Sequence, residues 1–275
     1  MSSVRVEAPA VVITRLLIDD RTGARVAIAL EDPRVSVSAS LSEGGAVVEL
    51  ASDCAEASVR PHPPSTTKIA VLRRLSRLPL LDLSCSSASV ALGLSLLALE
   101  RGPLSRLAEV EQRLGAELAP IFGGVVLGGL NLYAEVSGRL VLLSHTPPPE
   151  RARVLLASLP LPALEPSPEL GEVALALAGY ARSLWLEDEA SASEFASASI
   201  KALSGWLPRE LADTLSRGGF AAVPSTSGRL LMIASESSGE LGELYAWLLE
   251  RSGELFSTRV GRRGLVVSRR GAPRI

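Results

Sequence analysis

The chain has 275 residues, of which 47% are hydrophobic and 21% charged, with a formal net charge of -2. That is enough apolar surface for one large or two modest cores. The near-neutral balance and an aromatic content of 4% supply neither the basic footprint nor the stacking platforms of a nucleic-acid-binding protein. No basic segment followed by an apolar core opens the sequence, and the longest apolar run, residues 90–99, is too short to span a bilayer. The expectation is a cytoplasmic protein with no membrane and no nucleic acid among its partners.

Residues 4–13 alternate and then become continuously apolar, as a strand entering a core does. A second strand is expected over 24–30 and a third over 35–40. Glu43-Gly44-Gly45 reads as a hairpin turn into a strand at 46–50. Pro61-His62-Pro63-Pro64-Ser65 then introduces an expected helix over 66–77, with Ile69, Leu72 and Leu75 on one side and Arg73, Arg74 and Arg77 near the other. Such an arginine run is a solvated face, or else a device that steers an anionic substrate. Cys54, Cys85, His62 and His145 are too scattered to make a zinc framework. Lys68 and Lys201 are the only lysines among 28 basic residues, a bias expected of a GC-rich or thermophilic genome.

The stretch Pro79-Leu80-Leu81-Asp82-Leu83-Ser84-Cys85-Ser86-Ser87-Ala88-Ser89 runs straight into the apolar segment 90–99, which meets no charge until Glu100. It reads as a loop that opens a buried helix, with Ser84 as N-cap. The first N–H groups of a helix lack intrahelical partners and carry a partial positive charge, so small residues around them allow an anion to settle there. The alternative is that the serines only cap the helix. A further amphipathic helix is expected over 105–118, with Leu107, Val110 and Leu114 in register, and a glycine-opened strand over 123–133.

Pro147-Pro148-Pro149 and the prolines between 160 and 168 mark a shift in composition, which places a domain boundary near residue 150, dividing 1–150 from 151–275. Beyond it the pattern gives helices over 169–186, 190–203 and 208–216, strands over 219–223 and 229–235, a helix over 241–251, and strands over 255–260 and 265–268. This is a ferredoxin-like α+β layer. The leucine-rich, charge-poor segment 154–164 reads as an apolar surface that could serve a homodimer.

The order Pro79, three residues, then Leu83-Ser84-Cys85-Ser86-Ser87-Ala88 resembles the Pro-x-x-x-Gly-Leu-x-Ser-Ser-Ala loop of the GHMP kinase superfamily. Pro9-Ala10, Leu17-Ile18-Asp19 and Ala29-Leu30-Glu31-Asp32-Pro33-Arg34 are similar to the archaeal branch that includes beta-ribofuranosylaminobenzene 5'-phosphate synthase. The resemblance implies a two-domain α+β fold, a ribosomal-protein-S5-like layer followed by the ferredoxin-like one. It implies ATP held by Leu83, Ser84, Cys85, Ser86, Ser87, Ala88 and Ser89, magnesium met by the Ser87 hydroxyl, an acidic partner in Glu117, Asp19 or Asp20, and a small phosphate-containing ligand.

The chain departs from the family in definite places. Leu83 and Ser84 stand where the loop has Gly and Leu, and Val11 and Ile13 where the archaeal branch has Arg and His. Counting back from Gly123-Gly124, Ala116 occupies the position of the kinases' catalytic Asp, with Glu117 beside it. The turn at 224–228 lacks the Asp of the diphosphomevalonate decarboxylases. Three functions follow from the resemblance: a small-molecule kinase, a phosphoribosyl-transfer enzyme of the synthase type, and a catalytically inactive relative that binds a metabolite or partner.

Overall fold

The structure, a computed structural model, describes residues 3–42, 45–51, 70–74, 91, 119–225 and 229–270. In chain order its elements are β1 (Ser3–Leu17), β2 (Thr22–Ser42), β3 (Gly45–Ala51), β4 (Ala70–Arg74), α1 (Ala119–Leu127), β5 (Leu130–Val136), β6 (Arg139–Thr146) and β7 (Ala152–Ser158). They continue with α2 (Glu169–Trp185), α3 (Glu189–Ala202), α4 (Arg209–Gly218), β8 (Ala221–Pro224), β9 (Leu230–Ser235), α5 (Leu241–Arg251), β10 (Glu254–Arg259) and β11 (Val266–Arg270). The mixture of helices and sheets is the α+β class expected. Two compact units emerge, each discontinuous in sequence: one from residues 1–11, 31–128 and 263–275, the other from 12–30 and 129–262. The composition shift near residue 150 falls inside the second unit, at the passage from β6 to β7, because a proline run marks a connection without saying which unit its flanks join.

In the first unit β1 pairs antiparallel with β11, from Ser3 opposite Arg270 to Glu7 opposite Val266. The distal half of β2 pairs antiparallel with β3, and β3 pairs parallel with β4. Two expectations are corrected here. Residues 24–30 and 35–40 belong to one continuous strand of 21 residues, held through its proline by Arg34, whose guanidinium donates to the carbonyls of Arg263 and Gly264 at 2.9 Å each. Residues 70–74, expected within a helix, form β4. The run Ile69-Ala70-Val71-Leu72 fits a short strand as well as a helical face, and the free edge of β3 decides the matter by supplying backbone partners. Arg73 and Arg74 therefore lie on a strand and form no helical face.

Gly123-Gly124 is also corrected: the pair lies within α1 and opens no strand. The segment is apolar throughout, so periodicity could not separate a buried helix from a strand. Gly124 lets the helix sit against β1, since a Cβ there would approach Val11 Cγ1 to 2.7 Å. Gly128 and Gly129, at φ 71° and 60°, end the helix in the left-handed region, and β5 begins directly after them.

In the second unit β7, β8, β9 and β10 form an antiparallel sheet in the order β10-β7-β9-β8. With α2, α3 and α4 between β7 and β8, and α5 between β9 and β10, this is the βαββαβ arrangement of a ferredoxin-like layer. Its core is closed on both sides: residues 154–157 and 230–234 are fully buried, as are Tyr180 and Phe220. The apolar surface expected over 154–164 is thus corrected for its first half, which fills the core of this unit and offers nothing to a dimer. Local signals placed the helices. Asp188 caps α3, its Oδ1 accepting from Ser191 N–H at 3.1 Å, and Gly219 ends α4 at φ 62°. The proximal half of β2 pairs with β5, and β5 with β6. No helix among the described residues is long and apolar enough to cross a membrane.

Candidate functional site

The loop 79–89 and Glu117 lie outside the described residues, as does the expected helix over 105–118. Of the central helix only Ala91 is described, and it is helical and fully buried. The correction at Gly123-Gly124 also removes the reference point from which Ala116 and Glu117 were assigned.

Asp19, the other acidic candidate, sits in the turn that joins β1 to β2. The turn closes with Ile18 N–H and Asp19 N–H both donating to the Thr22 carbonyl, at 3.0 and 3.2 Å. Asp19 Oδ1 accepts from the N–H groups of Arg21 and Thr22, and Oδ2 from the Thr22 hydroxyl, each at 2.7 Å. These donors, the Thr22 hydroxyl foremost, hold its carboxyl below the usual Asp range. The carboxylate is engaged in shaping the turn.

Next to this turn lies a cleft of about 310 Å³, lined by Arg15, Leu17, Asp20, Arg21, Thr22, Glu135, Ser137 and Gly138. Three strands and two turns of one unit build it. Ser137 and Gly138, at φ 50° and 76°, form the two-residue turn between β5 and β6 in which both central residues take positive φ. Ser137 N–H donates to the Arg21 carbonyl at 2.7 Å, tying this turn to the β1–β2 turn. Gly23 lets β1 and β2 approach, because a Cβ there would lie 2.7 Å from the Leu16 carbonyl oxygen.

The floor of the cleft is an ion cluster. Glu135, 4% exposed, takes two guanidinium forks. Arg15 donates from Nε to Oε2 at 2.9 Å and from Nη2 to Oε1 at 2.6 Å. Arg25, 8% exposed, donates from Nε to Oε2 at 2.8 Å and from Nη2 to Oε1 at 3.0 Å. The forks, that of Arg25 foremost, outweigh the opposing effect of burial and hold the Glu135 carboxyl at about 2. A second trio, Glu236 with Arg153 and Arg259 at 2.6 and 2.8 Å, clasps β7 and β10.

Sequence reading singled out Asp19 and Asp20 here and missed Arg15, Arg25 and Glu135. Arg15 was visible as the one charge between Val11 and Ile18, but only the pairing of β2 with β5, which sets Gly23 opposite Glu135, brings it to a partner 120 residues away. At the turn after β8, Ser225 N–H donates to the Arg229 carbonyl at 2.7 Å, closing the hairpin expected there. His145 shares a hydrogen bond of 2.9 Å with the buried Asn131 on the neighbouring strand, and burial pulls its pKa down.

No family model and no curated protein sequence matches the chain. Solved structures do. A homoserine kinase from Cytophaga hutchinsonii is similar at 14% identity and a TM-score of 0.61, covering 97% of each chain. A putative homoserine kinase from Listeria monocytogenes is similar at 19% identity and 0.59, covering 96% of this chain and 99% of that one. Mevalonate-3-kinase from Thermoplasma acidophilum, solved with mevalonate 3-phosphate and ADP, is similar at 12% identity and 0.56, covering 97% and 98%. End-to-end likeness at this level speaks for the fold alone, and it agrees with the ferredoxin-like order of the second unit: the chain has a GHMP kinase-type α+β fold.

Proposed function

We propose that the protein is a small-molecule kinase that transfers the γ-phosphoryl group of ATP to a hydroxyl of a metabolite. The observation that carries the reading is the GHMP kinase fold running through 97% of the chain, together with the small-residue loop at 83–89 in a sequence that has lost most other family signatures. The backbone N–H groups of Ser86 to Ser89 would hold phosphate oxygens, and the Ser87 hydroxyl would meet the magnesium ion. When bound, Mg-ATP supplies the phosphoryl group and the electrophilic phosphorus. A carboxylate would take the proton of the acceptor hydroxyl as the phosphoryl group moved to it from ADP, and the family resemblance offers Glu117 or Asp19 for that part.

The second reading is a phosphoribosyl-transfer enzyme of the beta-ribofuranosylaminobenzene 5'-phosphate synthase type, favoured by Leu17-Ile18-Asp19 and the 29–34 stretch. The same helix terminus would then hold pyrophosphate. Thermal unfolding of the full chain separates the two. Mg-ATP at about 100 times its Kd should add about 2.7 kcal/mol and raise Tm by about 5 °C or more, with a smaller response to phosphoribosyl pyrophosphate. The reverse order favours the synthase reading. No shift with either ligand at millimolar concentration leaves an inactive relative.

A further inference from the structure

We propose that the outer edge of β6 is an interface on which a second copy of this chain pairs, strand against strand across a two-fold axis. β6 pairs with β5 on one side and with no other strand among the described residues. An edge of this kind presents a row of N–H and C=O groups that a further strand can take up. Its side chains have the composition of an interior strand. Leu140-Val141-Leu142-Leu143 carries no charge, and Val141, Leu142 and Leu143 are 59, 44 and 56% exposed. The register with β5 puts Val141 opposite Ala134 and Leu142 opposite Tyr133, so these two side chains project from opposite faces of the sheet and the edge is apolar on both. A continuous apolar run is the pattern of a strand covered on both faces, and here it stands at an edge with its side chains in water.

The edge strands of the ferredoxin-like sheet are guarded. β8 ends at Pro224, and β10 is bounded by Glu254 and Arg259, residues that discourage an incoming strand. β6 has no proline and no charge over 140–144. Its one irregularity is the bulge at Leu143, between Leu142 opposite Tyr133 and Ser144 opposite Leu132. The straight run before the bulge, Arg139 to Leu142, suits its own copy. Antiparallel pairing sets each Leu140 opposite the other copy's Val141, and each Arg139, the only charge of the run, opposite the other's Leu142. The two guanidinium groups then sit at opposite ends of the ladder, whereas parallel pairing would set them side by side. Val136, exposed at the end of β5, lies on the same face as Val141 and widens the patch. These side chains amount to a few hundred Å² of apolar surface, more than which monomers rarely leave exposed, against about 800 Å² per partner in an interface of standard size. An interface of this area makes a dimer in the micromolar range and no tighter.

The test is sedimentation velocity of the full chain from a few micromolar to several hundred micromolar. The wild type should pass from monomer to dimer over that range with no larger species, because a two-fold pairing uses up the edge. Val141→Lys should weaken dimerisation about tenfold or more, with the circular dichroism spectrum and Tm unchanged, since the side chain it replaces is exposed. Leu143→Lys, at the bulge and outside the ladder with β5, is an independent second variant and should act in the same direction. Leu249→Lys, at an exposed position on α5, is the control and should leave the equilibrium as it was. The proposal is overturned if the wild type stays monomeric at the highest concentration, as it would if the edge served a different protein. It is overturned equally if neither β6 variant weakens the dimer, or if Leu249→Lys dissolves it, which would move the interface to α5.

Discussion

Glu135→Gln isolates the ion cluster with the smallest change of shape. In the folded chain the Glu135 carboxyl titrates at about 2 against an ordinary value of 4.5. A gap of that size corresponds to roughly 3 kcal/mol. Screening through the open side of the cleft, where Arg15 meets water, reduces this to about 2–3 kcal/mol. The amide keeps the volume and can accept from one fork, but it leaves two guanidinium groups without a counter-charge, one of them buried. Because the folded value lies below the unfolded one, the contribution is complete above about pH 4.5 and disappears as pH falls toward 2. Urea unfolding of the wild type and Glu135→Gln should therefore differ by about 2–3 kcal/mol at pH 7, and the two should converge by about pH 2. A difference under about 0.5 kcal/mol at pH 7, or one that does not change with pH, would refute the reasoning.

Phe220→Ala removes a fully buried ring from the ferredoxin-like unit and should cost about 3–5 kcal/mol, read as an earlier urea midpoint. Glu236→Gln, on the more exposed cluster with Arg153 and Arg259, should cost less than about 1 kcal/mol in the same assay. In the loop, Ser86→Ala should weaken Mg-ATP binding by only about 0.5–1.5 kcal/mol, since backbone donors do most of the work. Ser87→Glu, which places volume and like charge where a phosphate would lie, should abolish it in the same titration.

The second unit was the more legible half. Pro208, Gly219 and Asp188 mark helix ends by local chemistry, and α5 runs over 241–251 as the periodicity gives it. At 119–127 the apolar run had no polar phase to read, and at 70–74 the segment was short enough that a helical spacing and a strand fitted alike. The first packs as a helix and the second as a strand, and in each case a neighbour chose: Val11 against Gly124, and the free edge of β3. The cleft was the least legible feature. Arg15, Arg25 and Glu135 are ordinary charges in ordinary strands until β2 and β5 pair, and no spacing along the chain encodes a register across 110 residues. The family loop is a local sequence signal, a serine and a run of small residues before an apolar segment, and it lies outside the described residues.

The nucleotide site carries the account, and a crystal soaked with magnesium and a non-hydrolysable ATP analogue tests it most directly. The expected result is phosphate density on the backbone N–H groups of Ser86 to Ser89, with magnesium against the Ser87 hydroxyl and Leu83 turned away from the phosphates. Density elsewhere, with the 84–89 loop empty and Leu83 filling the space, would contradict it.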